Sequence, residues 1–318
     1  MIKAENLSKR YGDKTALEDV SFYIGTGEIV GLLGLNGAGK STTMNILSGY
    51  IGATSGRVFI NEFDIQKEPL KAKKLIGYLP EQPVFYAGMR VREYLDFICD
   101  LKDLDKSRAY RRTHIGELCE KVGLSQMMNR LIRNLSKGYR QRVSFAQALA
   151  GFPKVLIMDE PTVGLDPSQI LEIRGLIREL GKTATVLISS HILSEIRELC
   201  QRVIVLKDGR LIADDSPERL AERTRKTNHV KFRAKGNRQD ILEALKSVPE
   251  AVSLSCMGEL EDGTTDFELV GQTGRDARED VFNALATARL PLLYTYGGEA
   301  SLEDIFLHLV GREKEATA

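Results

Sequence analysis

An eight-residue stretch, Gly34-Leu-Asn-Gly-Ala-Gly-Lys-Ser41, has the residue types and spacing of a phosphate-binding loop. Its glycines leave room for backbone N–H groups to turn toward a phosphate chain, and the helix that follows adds a positive partial charge. The spacing predicts that Lys40 reaches the β- and γ-phosphates of a nucleoside triphosphate and that the Ser41 hydroxyl is a ligand of Mg²⁺. The predicted cradle comprises Gly34, Asn36, Gly37, Ala38, Gly39, Lys40, Ser41 and Thr42.

Two adjacent carboxylates, Asp159 and Glu160, follow a second apolar run. An Asp at the end of a buried strand can accept a hydrogen bond from a water bound to Mg²⁺, and a second carboxylate beside it can orient an attacking water. Two neighbouring acids would by themselves be more typical of a solvated turn. Because the same chain carries a phosphate loop, we favour the second half of a nucleoside triphosphatase site.

The elements that must position these groups alternate between strand and helix up to about residue 220. Four runs have the pattern of a buried strand, and they lie at residues 28–34, 154–159, 185–189 and 202–206. This alternation is typical of a mostly parallel sheet covered by helices, an α/β fold. Asp208-Gly209 predicts a hairpin to a strand at 210–213, and Ser216-Pro217 predicts the start of a short helix.

A section without strand pattern, residues 91–150, is predicted to be a helical insertion. Its residues 101–142 contain eleven Lys and Arg but only four Asp and Glu, an excess of seven positive charges. Such an excess indicates either a solvated helical face or a surface for an anionic partner, and the sequence leaves both interpretations open.

The composition of the whole chain narrows the class of protein. The 318 residues include 45 Lys and Arg and 44 Asp and Glu, which argues against a surface built throughout for nucleic acid or anionic lipid. No apolar run approaches the roughly 18–20 residues that a membrane span requires. The N-terminal residues lack an apolar signal core, and the four cysteines form no metal-binding pair, so a cytosolic domain with free thiols is predicted.

A polar, aperiodic segment at residues 222–229 predicts the boundary between two domains, 1–225 and 226–318. The second domain has the order β-α-β-β-α-β, which predicts a small α+β module of the ferredoxin-like type. Its predicted strands lie near 229–234, 251–257, 266–271 and 292–296. Its predicted helices lie near 238–248 and 276–290, and a last amphipathic helix begins at Ser301.

Further motifs complete a known order, and with them residues 1 to about 220 resemble the ATP-binding subunit of an ABC transporter, a P-loop NTPase. Tyr11 matches the aromatic residue that stacks on adenine, and Gln82 matches the glutamine that contacts Mg²⁺ and faces the membrane partner. Residues 135–141 stand at the place of the family's LSGGQ signature. Gly164-Leu-Asp166 matches the loop that crosses to the opposite subunit, and His191 matches the histidine that contacts the γ-phosphate.

The signature departs from the family pattern at two positions, where Lys137 replaces the first Gly and Tyr139 replaces the Gln. Ser136 and Gly138 remain. They supply a hydroxyl and a backbone N–H at the start of a helix, which is what an incoming γ-phosphate needs. We therefore expect the signature still to hold nucleotide.

The resemblance implies an ATPase whose catalytic residues are Lys40, Glu160 and His191, with ATP and Mg²⁺ as cofactors. The implied metal ligands are Ser41, Gln82 and Asp159, and the implied nucleotide contacts outside the loop are Tyr11, Gln82, Ser136 and Gly138. In this family two subunits pair head to tail, each ATP lies between them, and closure drives a separate polytopic permease. The implied location is cytoplasmic, peripheral on the inner face of the membrane, with no nucleic-acid partner.

The segment at residues 300–309 resembles one in exporter subunits of the drug, sodium or gliding-motility type, which favours export; by its spacing alone it is an ordinary amphipathic helix. Two alternatives stay open. One is a soluble ABC-type ATPase that acts on a ribosome or a DNA-repair assembly. The other is a binding module in which ATP only regulates assembly.

Overall fold

The computed structural model describes residues 1–104, 107–190, 192–224, 228–246, 248, 251–260, 263–271, 277–297 and 306. The chain divides into two compact units, residues 1–216 and 217–318. The boundary predicted from sequence lies after residue 225, so the two divisions differ by one short helix. That helix begins at Pro217. A proline lacks the backbone N–H that a further residue of the preceding strand would donate.

The first unit is built on a six-stranded sheet in the order β10-β9-β3-β8-β7-β6. Its strands are β3 (Ile29–Leu33), β6 (Ile76–Leu79), β7 (Val155–Asp159), β8 (Thr185–Ser189), β9 (Arg202–Lys207) and β10 (Arg210–Asp215). All pairs are parallel except β9 with β10, which form the predicted hairpin. Every residue of β3, β7 and β8 is buried, as expected for strands covered on both faces.

A second, antiparallel sheet of the first unit is absent from the sequence analysis. It has the order β2-β1-β4-β5, with β1 (Ile2–Tyr11), β2 (Lys14–Ile24), β4 (Ser55–Ile60) and β5 (Phe63–Asp64). The pairing of β1 with β2 shifts register three times between Ala4 and Arg10. Each such irregularity interrupts the two-residue alternation by which a strand is identified in sequence.

The helical insertion lies between β6 and β7, as predicted. It contains α3 (Val91–Leu101), α4 (Arg108–Lys121) and α5 (Lys137–Leu149). Part of its positive charge is neutralised by ion pairs. Arg111 pairs with Asp96 and Asp100 within the insertion, and Arg142 pairs with Glu172 outside it. The other helices of the unit are α1 (Lys40–Leu47), α2 (Pro69–Lys74), α6 (Pro167–Gly181) and α7 (Leu193–Leu199).

The second unit begins with α8 (Pro217–Thr224) and continues in the predicted element order. Its elements are β11 (Asn228–Lys235), α9 (Arg238–Leu245), β12 (Ala251–Leu260), β13 (Thr264–Gly271), α10 (Arg278–Thr287) and β14 (Leu292–Gly297). The strands pair antiparallel in the order β12-β13-β11-β14 around a core that includes Phe232 and Phe267. Of the helix predicted from Ser301, only Phe306 lies within the described residues.

Among the residues that the structure describes, no helix is both long enough and apolar enough to cross a bilayer.

Candidate nucleotide site

The phosphate loop connects the buried strand β3 to α1, as the sequence predicts. Gly37 and Gly39 have φ angles of 86° and 104°, a region in which residues with a Cβ are strained. A Cβ at Gly39 would also fall 2.6 Å from Cδ2 of Leu17 and 2.8 Å from the carbonyl oxygen of Ala16. Only glycine therefore fits at Gly39, and the N-terminus of α1 opens directly after it.

A hairpin turn ties the phosphate loop to the antiparallel sheet. Gly209, between β9 and β10, donates its N–H to the carbonyl of Ala38 at 3.2 Å. The carbonyl of Gly209 accepts a hydrogen bond from the N–H of Glu18, in β2, at 2.8 Å. One residue thus connects the loop and the neighbouring sheet.

Lys40 lies where the loop meets the carboxylates. Its Nζ donates to the carbonyl of Gly34 at 2.6 Å and to that of Leu35 at 3.3 Å, so the side chain spans the loop. Burial lowers the pKa of Lys40, while the negative charges of Glu160, Asp159 and Glu81 act in the opposite direction. The structure therefore brings Lys40 and the predicted carboxylates into one electrostatic environment.

Asp159 and Glu160 are positioned by the adjacent strand β8. The hydroxyl of Ser189 donates to Oδ1 of the buried Asp159 at 2.5 Å. The N–H of Glu160 donates to both the hydroxyl and the carbonyl of Ser189, at 3.0 and 3.3 Å. Glu160 has a φ of 50°, which is uncommon for a residue with a side chain and characteristic of sites where the surrounding structure imposes the conformation.

The signature at residues 135–141 and the loop at residues 160–166 are in contact within one copy of the chain. Ser136 caps α5, and Gly138 is packed so closely that a Cβ there would fall 2.6 Å from the side chain of Gln169. The side chain of Lys137 lies across Gly164, leaving no room for a Cβ. Nε2 of Gln141, further along α5, donates to the carbonyl of Pro161 at 2.7 Å.

The remaining predicted residues lie at the edges of this region. Tyr11, at the end of β1, is half exposed, and Nζ of Lys9 lies 5.1 Å from its ring centroid. Gln82 follows β6 and lines a cavity of about 550 Å³, whose other lining residues come from α1, which follows the phosphate loop, and from the helical insertion, among other segments. His191, predicted to contact the γ-phosphate, lies outside the described residues.

Comparison with known proteins decides the family. A family model described as ABC transporter matches residues 17–163. The linearmycin resistance ATP-binding protein LnrL of Bacillus subtilis strain 168 is 34% identical over 98% of this chain and 99% of its own. The bacitracin transport ATP-binding protein BcrA of Bacillus licheniformis is 35% identical over 98% of this chain and 97% of its own. The chain belongs to the ABC transporter family.

The ABC cassette is also evident in three dimensions. A dimeric post-hydrolysis structure of the ATP-binding cassette MJ0796, bound to ADP and Pi, matches with a TM-score of 0.63 and 29% identity, over 68% of this chain and 98% of that cassette. The predicted ATP-binding and ATP-hydrolysing function of an ABC transporter subunit is therefore confirmed, over the ribosomal, DNA-repair and regulatory alternatives.

The ABC cassette contains a residue that the sequence analysis missed. Glu195, in α7, is 2% exposed, and its Oε2 accepts hydrogen bonds from the hydroxyls of Thr162 and Ser190. The sequence carried one signal of its burial. Glu195 lies between Ile192 and Leu199 at helical spacing, which places a carboxylate on an apolar helical face.

Proposed function

We propose that this chain is the motor subunit of an exporter and that its catalytic centre is formed by Lys40, Asp159 and Glu160. The observation that supports the proposal best is the shared electrostatic environment of the three: the charges of both carboxylates act on the ammonium at the phosphate loop. Such an arrangement can hold a phosphate chain at Lys40 while Glu160 orients a water.

The donor set fits Mg²⁺. A hydroxyl from Ser41, an amide oxygen from Gln82 and a carboxylate from Asp159 are the hard oxygen ligands that Mg²⁺ takes, with waters completing its shell. When bound, the ion neutralises charge that develops on the phosphates. Within the described residues, no cluster of three or more His, Cys, Asp and Glu offers a competing metal site.

Hydrolysis is proposed to require two copies of the chain, paired head to tail. Ser136 and Gly138 at the start of α5 of one copy then face the γ-phosphate held by the loop of the other, while Tyr11 stacks on adenine and His191 contacts the γ-phosphate. The support for this is the exposed position of Ser136 and the dimeric form of the matched cassette MJ0796. Closure of the two copies completes the positive environment around the γ-phosphate. It also excludes water from the site, except for the one molecule that Glu160 orients.

We expect Glu160→Gln to bind MgATP and to accumulate as a dimer, because the variant keeps its shape but loses the base. Its rate of phosphate release falls about a hundredfold or more. Gel filtration in MgATP and a phosphate-release assay measure both effects. Glu179→Gln, on the exposed surface of α6, is the matched control. Unchanged turnover in Glu160→Gln would contradict the assignment.

The membrane partner is proposed to dock at the cavity that Gln82 lines. Two of its lining residues, Val84 and Leu101, are 88% and 67% exposed, and a third apolar lining residue, Ile98, is buried. Exposed apolar side chains that line one cavity form a patch, and such patches are characteristic of interaction surfaces. A permease segment seated there would be coupled to the catalytic centre through Gln82.

Val84→Glu is expected to abolish copurification with the membrane partner, because it places a charge in an apolar contact. Nucleotide affinity stays at the wild-type value, since Val84 does not touch the phosphate loop. Leu171→Glu, at a similarly exposed apolar position on α6, serves as the control. Retention of the partner by Val84→Glu would place the docking surface elsewhere.

The second unit is proposed to be a ferredoxin-like accessory domain, on the support of its strand order, and to identify the transporter as an exporter. LnrL and BcrA each match 98% of the chain and therefore match it through both units. One of these relatives is named for resistance to linearmycin and the other for bacitracin transport. We propose by analogy that the cargo is an antimicrobial compound and that the chain works in the cytoplasm, at the inner face of the membrane.

A further inference from the structure

A buried polar cluster lies behind the carboxylates of the catalytic centre. It consists of Thr162, Ser190, Glu195 and the guanidinium of Arg174, and the first three are each 2% exposed. None of the four belongs to the motifs that the sequence analysis singled out. The cluster therefore raises the question of what a carboxylate does in this part of the core.

The hydrogen bonds of Glu195 join two loops. Its Oε2 accepts from the hydroxyl of Thr162 at 2.7 Å and from the hydroxyl of Ser190 at 3.3 Å. Thr162 lies two residues after Glu160, in the loop that follows β7, and Ser190 directly follows β8. The same Ser190 hydroxyl accepts a hydrogen bond from the N–H of Ile192 at 3.0 Å. One carboxylate oxygen thus fixes the separation of the two loops at the edge of the sheet where catalytic groups collect.

The charge of Glu195 is balanced from α6. Nη2 of Arg174 lies 3.4 Å from its Oε1, and Nη1 of Arg174 also pairs with the exposed Glu198 at 2.7 Å. Oε1 of Glu195 and Nε of Arg174 have no hydrogen bond among the described residues. A buried ion pair that is only partly hydrogen-bonded is a weak source of stability, so its presence needs another reason.

We propose that Glu195 is a positioning residue for ATP hydrolysis. By holding Thr162 and Ser190 on one oxygen atom, it sets the position of Glu160 relative to the phosphate loop. The inference rests on the proposed role of Glu160. It concerns the hydrolytic step and not nucleotide binding, because none of the hydrogen bonds and ion pairs described for the cluster reaches the cradle at 34–42.

The test compares four single variants of the full chain, and one double variant, by kcat and KM for MgATP and by thermal denaturation. Thr162→Val removes the hydroxyl at nearly constant volume, and Thr162→Ser restores it. Glu195→Gln removes the charge and keeps the shape. Glu198→Gln removes the other, exposed partner of Arg174 and is the matched control.

We expect Thr162→Val and Glu195→Gln each to lower kcat about tenfold to a hundredfold, the scale of a small misplacement of a catalytic group, with KM unchanged. Thr162→Ser and Glu198→Gln keep the wild-type kcat. The double variant Thr162→Val/Glu195→Gln loses about as much kcat as the more damaging single variant, because one change removes the donor of a hydrogen bond and the other removes the charge on its acceptor.

Two outcomes would overturn the inference: wild-type kcat in Thr162→Val and Glu195→Gln, or losses in which KM and thermal stability change together and Thr162→Ser restores nothing. Should Thr162→Val fail to fold, Thr162→Ser and Glu195→Gln still decide by the same criterion. Both outcomes differ from a failure of the proposed function, which unchanged turnover in Glu160→Gln would reveal.

Discussion

Lys40 carries a cationic side chain at the first turn of α1, where the helix itself contributes positive partial charge. Two like charges at one place are unfavourable unless an anion accompanies them. The carbonyls of Gly34 and Leu35 supply only partial negative charge, and burial already lowers the pKa of the ammonium. The position is therefore suited to a phosphate chain.

Lys40→Ala is expected to weaken nucleotide binding by about 1.5–3 kcal/mol, the usual worth of a hydrogen bond to a charged group, which is roughly tenfold or more in Kd. Isothermal titration with ADP measures the effect. Lys182→Ala, at an exposed ion pair of α6, is the control. Full affinity in Lys40→Ala would contradict the cradle that we describe.

The residues of the proposed catalytic centre are candidates from sequence alone, because each belongs to a short contiguous motif. The phosphate loop and the Asp159-Glu160 pair are of this kind. Glu195 could not be predicted in the same way, because its partner Thr162 lies 33 residues away in the chain and comes close only when β7 and β8 pair. Long-range hydrogen bonds of this type leave no periodic pattern.

At the scale of elements, the continuous apolar strands β3, β7, β8 and β9 were predicted, as was β10 from its hairpin turn, whereas β1, β2, β4, β5 and β6 were not. β3, β7 and β8 form continuous apolar runs, which stand out in any sequence. β1 carries its buried residues with interruptions, because its register with β2 shifts within Ala4–Arg10. The N-terminal sheet became evident only from its pairing.

The end of α3 contains a lysine that responds to pH. Lys102 donates to the carbonyls of Ala150 and Ile76 at 2.8 and 3.3 Å, and burial lowers its pKa from 10.5 to about 8. Between these values the unfolded chain binds a proton that the folded chain does not. The stability contributed by Lys102 therefore increases as the pH rises from about 8 to 10.5.

Lys102→Met should lack this dependence. Across that pH range, the thermal stability of the wild type is expected to rise relative to that of the variant, whatever their order at lower pH. Thermal denaturation of both proteins at matched pH values provides the measurement, with the exposed Lys182→Met as control. A difference that stays constant with pH would show that Lys102 remains charged in the folded chain.

At the scale of the whole molecule, each unit has a hydrophobic core of its own among the described residues. One includes Leu7, Val30 and Ile157 of the first unit, and the other includes Phe232 and Phe267 of the second. A unit with its own core can fold by itself. The distribution of apolar residues therefore permits removal of the second unit without loss of the first.

A chain of residues 1–216 is expected to bind ATP as the full chain does but to form a weaker dimer, because we infer that the second unit adds contact area between copies. The comparison is made in the Glu160→Gln background, in which ATP is retained, by sedimentation over a range of concentrations. Equal dimer affinity in the two lengths would remove dimerisation from the functions of the second unit.

The turn at Gly209 has a consequence for which nucleotides can be accepted. Its N–H is bonded to the phosphate loop and its carbonyl to β2, in the sheet that carries Tyr11. The sheet and the loop cannot slide past each other without breaking both bonds. With Tyr11 as the proposed contact of the base, the spacing between base and phosphate positions is therefore set by the fold, and we expect a molecule of another length to lose one of the two contacts.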